Sequence, residues 1–356
     1  MRAFTVLGRL AFLSTLVSGC HGDKSASPPP PVPRVSSSGW VEHSANPVIK
    51  YGDALPKILW NDPSVMKEGG QYRMWLSGGD PQANPIAVSI YEARSTDGIR
   101  WNILTKPVLE PAQDAKAWDS QRTETPSVIK VGDLYHMYYS GCNKPCSGGV
   151  YNIGHATSRD GVSWVKDPRN PVITHQANPL EWGFFTAAEP GVVYHPGNKR
   201  FYLYYVGARS NHPAPGAPFA ILLATSSDGS TFRHHTNDKG QREPVYTLSK
   251  SYDATRYRGY STPMVHLRNG VFHMYHDVLW DPKGFGQVAL GHATSEDGTR
   301  FVEVERDIFT TGHSDWKHDS VLAPTVIDDA GTLKMWFAGQ TNKPRLSYGI
   351  GYASKK

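Results

Sequence analysis

Two carboxylic acids, Asp62 and Glu189, each stand directly before a proline in segments that otherwise read alike. Asp62 lies in Leu59-Trp60-Asn61-Asp62-Pro63-Ser64-Val65, and Glu189 ends the run Trp182-Gly-Phe-Phe-Thr-Ala-Ala-Glu189 ahead of Pro190. Phe184, Phe185 and two alanines precede Glu189, surroundings that favour a protonated carboxyl, whereas a more solvated Asp62 stays ionised. Two acids in unequal environments on one concave surface suit glycosidic bond cleavage, in which one protonates the leaving oxygen and the other activates water or attacks the sugar. Glu124, in Arg122-Thr-Glu-Thr-Pro126, stands one residue before the same frame position and either assists the pair or is itself the reacting acid. The plain alternative for Asp62 is a strand-opening residue whose oxygen bonds a neighbouring amide.

The frame that carries these acids recurs. Trp118, Trp182 and Trp316 stand eight residues before Pro126, Pro190 and Pro324, and looser copies surround Pro63 and Pro263. The residues before the five prolines are Asp62, Thr125, Glu189, Thr262 and Ala323. A self-similar period of this size marks a repeat architecture whose core is buried between successive units. In the second unit, Pro126–Val131 alternates as a strand, Gly132-Asp133 turns, and Leu134–Gly141 is the next strand; Tyr151–Ser158 follows, then the Asp160-Gly161 turn and Trp164–Ile173. Four antiparallel strands per unit predict an all-β fold, a five-bladed β-propeller of four-stranded blades. The Asp-Gly turns at 97, 160, 228 and 297 look like the Asp boxes of sialidases but are one residue shorter, and their expected role is structural. Unit five shows three strands, and Trp40–Ile49 matches Trp164–Ile173 in spacing, so an N-terminal strand is expected to complete the last blade. Loops of varied length then flank the pre-proline residues on one face and define a binding funnel.

The chain of 356 residues has 34 Gly, 27 Pro, 18 Tyr and 10 Trp, the composition of a turn-rich β protein. Residues 1–19 read as a lipoprotein signal peptide: Arg2 and Arg9 flank an apolar run, and Val17-Ser18-Gly19-Cys20 resembles a lipobox, with Cys20 as the lipidated residue. Residues 20–38 are a Pro/Ser-rich tether, and 39–356 form the propeller domain. Removing 1–19 leaves 35 basic against 32 acidic residues, too small and scattered an excess to imply nucleic acid. The expected product is a monomer at the cell envelope whose only membrane contact is its lipidated N-terminus. Cys142 and Cys146 either form a small disulfide or remain thiols.

Five units, a first-unit Asp-Pro, a later Glu-Pro and N-terminal closure resemble the five-bladed propeller glycosidases of glycoside hydrolase families 43, 32, 68 and 130. Trp60-Asn61-Asp62-Pro63 is similar to the sucrose-family motif that carries the nucleophile, while in the arabinanase and xylosidase family the matching Asp is the base and the Glu the acid. The resemblance implies a glycosidase that acts on plant- or algal-type saccharides of arabinose, xylose or galactose type, without a required cofactor. It further suggests Trp60, Tyr260 and Phe185 as stacking surfaces, Asn61, Arg122, Thr125, His318 and Asp319 as polar contacts, and His318 as a neighbour of a structural calcium. The usual middle Asp-Pro is replaced by Thr125, which keeps open a non-catalytic glycan-binding protein; Arg256, Arg258 and Arg345 keep open a phosphorylase.

Overall fold

Each repeat folds where its alternating apolar residues and turn residues dictate. The computed structural model of the chain describes residues 38–144, 150–178, 181–184, 186–208, 219–248, 257–280, 286–312, 314–342 and 346–356. The leader, Cys20, most of the tether, Cys146, Phe185, Arg256 and Arg345 lie outside the described residues.

The fold is all-β, with one short 3-10 turn at Asp315–Lys317 among the described residues. The first strands of the units are Leu59–Glu68, Arg122–Val131, Ala187–His195, Tyr257–Arg268 and Ser320–Asp329. The second strands are Gln71–Gly79, Leu134–Cys142, Arg200–Ala208, Val271–Trp280 and Thr332–Thr341. The third are Val88–Ser95, Asn152–Ser158, Phe219–Ser226, Gly286–Ser295 and Ser347–Lys355. Within every unit first pairs with second and second with third, all antiparallel, which gives a propeller-like set of sheets. Fourth strands pair with the third in units one to four; in unit five that place is taken by Val41–Glu42, with Val41 opposite Ser354. First strands of successive units touch, and that of unit five touches that of unit one.

The Asp-Gly turns serve the backbone and link the units. In the turn at Asp97, its Oδ1 accepts the N–H groups of Ile99 and Arg100 at 2.8 Å, and Gly98 adopts φ 78°. The carbonyl of each turn glycine accepts a hydrogen bond from a second-strand aromatic of the neighbouring unit: Trp75 Nε1 to Gly161 at 2.9 Å, Tyr138 to Gly229 at 2.6 Å, Tyr204 to Gly298 at 2.8 Å. The same bond joins unit five to unit one, from Trp336 Nε1 to Gly98 at 2.7 Å. Each buried Trp or Tyr polar atom of this set thereby finds the partner that its burial requires.

An ion pair repeats with its polarity exchanged. In unit two, Asp119 before the first strand meets Lys166 of the fourth strand at 2.6 Å. In unit five the corresponding positions are Lys317 and Glu42, 3.2 Å apart and both buried. Removing one partner of a buried pair strands the other charge at a cost of about 3–5 kcal/mol. Glu42→Lys should therefore lower stability by roughly that amount, and adding Lys317→Asp should recover most of it in denaturant unfolding. Failure of the double variant to recover would show that the pair does not couple.

Candidate functional site at the funnel floor

The pre-proline positions share one backbone state. Asp62, Thr125, Glu189, Thr262 and Ala323 all have positive φ, between 42° and 54°. At each, the register between first and second strand slips, as between Asn61 and Ser64 or Ala188 and Gly191. Left-handed backbone is costly for residues with a Cβ, above all β-branched threonine, and persists only where surroundings enforce it. At three of them the preceding unit caps the N–H: Ser77 Oγ accepts from Thr125 at 2.9 Å, Ser140 Oγ from Glu189 at 2.8 Å, and Asp277 Oδ1 from Ala323 at 3.1 Å. Ser77, Ser140 and Asp277 occupy one second-strand position, which Val206 fills in unit three. Valine cannot cap, and the Glu189 carboxylate does so instead, its Oε2 accepting the Thr262 N–H at 3.0 Å.

The bulges set Asp62, Thr125, Glu189 and Thr262 around one cavity, together with Asn61, Glu124, Tyr151, Thr186 and Gln287. Glu124 receives a hydrogen bond from the Tyr151 hydroxyl and has Arg122 Nη1 at 3.7 Å. Burial pushes the Glu189 carboxyl up to about 7; the Thr262 N–H opposes the rise and the Glu124 charge adds to it. Asp62 is also buried, and its carboxyl is raised well above the usual range by burial and then by the charges of Glu124 and Glu189. The expected solvated, ionised Asp62 is thus corrected: its first-unit bulge is enclosed by its neighbours, and burial raises its carboxyl as it does that of Glu189.

Other expected contacts divide. Asn61, Arg122 and Thr125 are at or beside the floor. Trp60 and Tyr260 are fully buried and face the core: Trp60 donates to the Asp53 carbonyl and packs edge-on to Tyr91, while Tyr260 stacks on Tyr246 with centroids 4.4 Å apart. Neither offers a face to a sugar, because the positions two before the left-handed residues point between sheets. His318 and Asp319 bond each other at 2.8 Å away from the cavity, and Asp319 accepts the Asn342 N–H at 2.6 Å. Among the described residues no group of three or more His, Cys, Asp or Glu side chains is arranged to hold a metal.

Asp277 escaped the sequence reading because it lies on a second strand, outside the proline frame. It is fully buried, accepts from Ser261 at 3.0 Å, and its carboxyl is raised well above the usual range by burial and then by Glu189. The serines at its equivalents, Ser77 and Ser140, were the available signal.

The raised Glu189 carboxyl has a stability consequence. Unfolded, it releases its proton near 4.5; folded, near 7. The folded state therefore binds the extra proton between those values, and its stability is fully present below about 4.5 and declines as pH rises to about 7. The loss is about 3 kcal/mol. Glu189→Gln keeps an oxygen for the Thr262 N–H and cannot ionise, so its melting temperature should exceed that of the wild type at about pH 8 and converge with it near pH 5. An equal difference at both pH values would contradict the shift.

The chain thus combines a propeller-like, all-β fold with buried carboxyls gathered at one funnel. The solved structures similar to this chain share that fold: a glycosyl hydrolase from Bacteroides ovatus (TM-score 0.64, 17% identity, 88% of this chain and 93% of that one); a protein described under the GH130 family of mannoside phosphorylases, said to contain glycoside hydrolases that target beta-1,2 mannosidic linkages in Candida mannan (0.65, 16%, 90% and 95%); and the beta-1,2-mannobiose phosphorylase from Listeria innocua (0.63, 15%, 89% and 96%). At these identities the likeness is one of fold. No family model matches the sequence. Two uncharacterized proteins from strains of Mycobacterium tuberculosis are 29% identical over 164 residues, 45% of this chain and 50% of theirs. The match thus spans about half the length of these curated relatives.

Proposed function

We propose that the chain is a glycoside hydrolase built on a closed five-bladed propeller, held at the cell envelope through a lipidated Cys20, that cleaves plant- or algal-type saccharides. The observation that carries this reading is the meeting of Asp62, Glu124 and Glu189, from three units, around one cavity within electrostatic reach of one another. Glu189, whose carboxyl burial pushes up to about 7, serves as the general acid, and Asp62 as the base or nucleophile. Glu124, oriented by Arg122 and Tyr151, assists. A binding-only protein is the second reading, favoured by the bond from the Thr262 N–H, which gives Glu189 a structural task in place of the missing serine.

The test is incubation with aryl-glycosides and arabinose-, xylose-, galactose- and mannose-containing saccharides, with and without inorganic phosphate. Free reducing sugar in the absence of phosphate supports a hydrolase. Sugar phosphate formed only with phosphate makes it a phosphorylase, and binding without turnover makes it a receptor.

A further inference from the structure

Three enclosed polar atoms around the funnel have no partner among the described residues: Asn61 Oδ1, Thr186 Oγ1 and Thr262 Oγ1. Asn61 is 5% and Thr186 1% exposed. Native proteins leave few such atoms unsatisfied, because each has given up its water without replacement. Others among the described residues, at His266, Glu305 and Ser314, lie away from the funnel, but these three adjoin the acids. Asn61 precedes Asp62, Thr186 stands three residues before Glu189, and Thr262 gives its N–H to Glu189. Comparable hydroxyls on first strands are satisfied: Thr123 donates to the Leu109 carbonyl at 3.2 Å, Thr125 bonds Ser140, and Ser261 donates to Asp277 at 3.0 Å. The strand geometry therefore allows internal partners, and the three beside the acids do without them.

We propose that Asn61, Thr186 and Thr262 form a hydroxyl-recognition set that binds the O–H groups of an uncharged sugar unit held against Asp62 and Glu189. The inference rests on the glycan-active reading and adds the chemistry of the ligand. A threonine hydroxyl both donates and accepts, and the Asn61 oxygen accepts, which matches neighbouring hydroxyls of a sugar ring. A uronate or sulfated sugar would bring an anion into a cavity already lined by the carboxyl groups of Asp62, Glu124 and Glu189.

Thr186→Val and Thr262→Val remove only the hydroxyl and keep the shape. With no internal bond lost, the melting temperature of each variant should hold or rise. For the saccharide that the wild type turns over, KM should rise about tenfold per variant, the worth of one hydrogen bond, with kcat less affected. A fall in kcat at unchanged KM would assign the missing partner to the attacking water and overturn the sugar assignment. A lowered melting temperature with KM unchanged would reveal an internal partner and also overturn it. If the wild type turns over no saccharide with or without phosphate, the enzymatic reading fails and this inference falls with it, whereas unchanged KM in an active enzyme fails the inference alone.

Discussion

Asp62→Asn and Glu189→Gln should each lower turnover of the cognate saccharide by about a thousandfold, the scale of a lost positioned acid or base, while the fold is retained. Retention follows from the local bonds: Ser140 still caps the N–H at position 189, and the amide oxygen introduced by Glu189→Gln can still accept from Thr262. The pH profile separates the two assignments of role. If Glu189 works ionised and Asp62 protonated, the rate rises as pH passes through about 7, where Glu189 loses its proton. The opposite assignment makes the rate fall through the same pH, because the acid is then the group being lost. A variant of either residue with near wild-type turnover removes it from the machinery.

Removal of residues 40–49 should unfold the domain. This segment places Trp40, fully buried and edge-on to Tyr275 at 6.1 Å, and Ile49 into the core, and it supplies Glu42 to the buried Lys317. It also gives the last strand its edge partner: His43 donates to the Tyr352 carbonyl at 2.9 Å, and Asn46 exchanges bonds with Tyr352 at 2.8 and 3.0 Å. Loss of the Trp40 packing costs about 3–5 kcal/mol, and the stranded lysine costs about as much again. The sum rivals the whole stability of an ordinary domain. The truncated chain should show no cooperative thermal transition and should bind a hydrophobic dye; a sharp transition within a few degrees of the wild type would contradict the latch.

The strands, turns and N-terminal pairing were legible because each rests on a local signal repeated several times. Asn46 and Asn170 illustrate it: spacing alone aligned them, and each clamps the third strand of its unit with the same two bonds, Asn170 to His155 at 2.7 and 2.9 Å. The convergence on Asp62, Glu124 and Glu189 was legible for the same reason, as all three lie at or beside the proline frame. Aromatic roles were not. Trp60 and Tyr260 are the residue types that stack on sugars, yet the direction of a side chain two positions before a bulge depends on the bulge, which no residue type announces. The raised carboxyl of Asp62 was also hidden, because its enclosure comes from residues of other units. Asp277 and Thr186 were missed for want of a frame that singles out second-strand caps or hydroxyls lacking partners.

Direct titration of Glu189 by NMR, with carboxyl-labelled Glu in the wild type and in Glu124→Gln, tests the shared floor without any substrate. The midpoint should lie near 7 in the wild type and lower in the variant, since the Glu124 charge contributes to the rise. A midpoint in the ordinary carboxylate range, unmoved by Glu124→Gln, would show that the acids do not meet at one site.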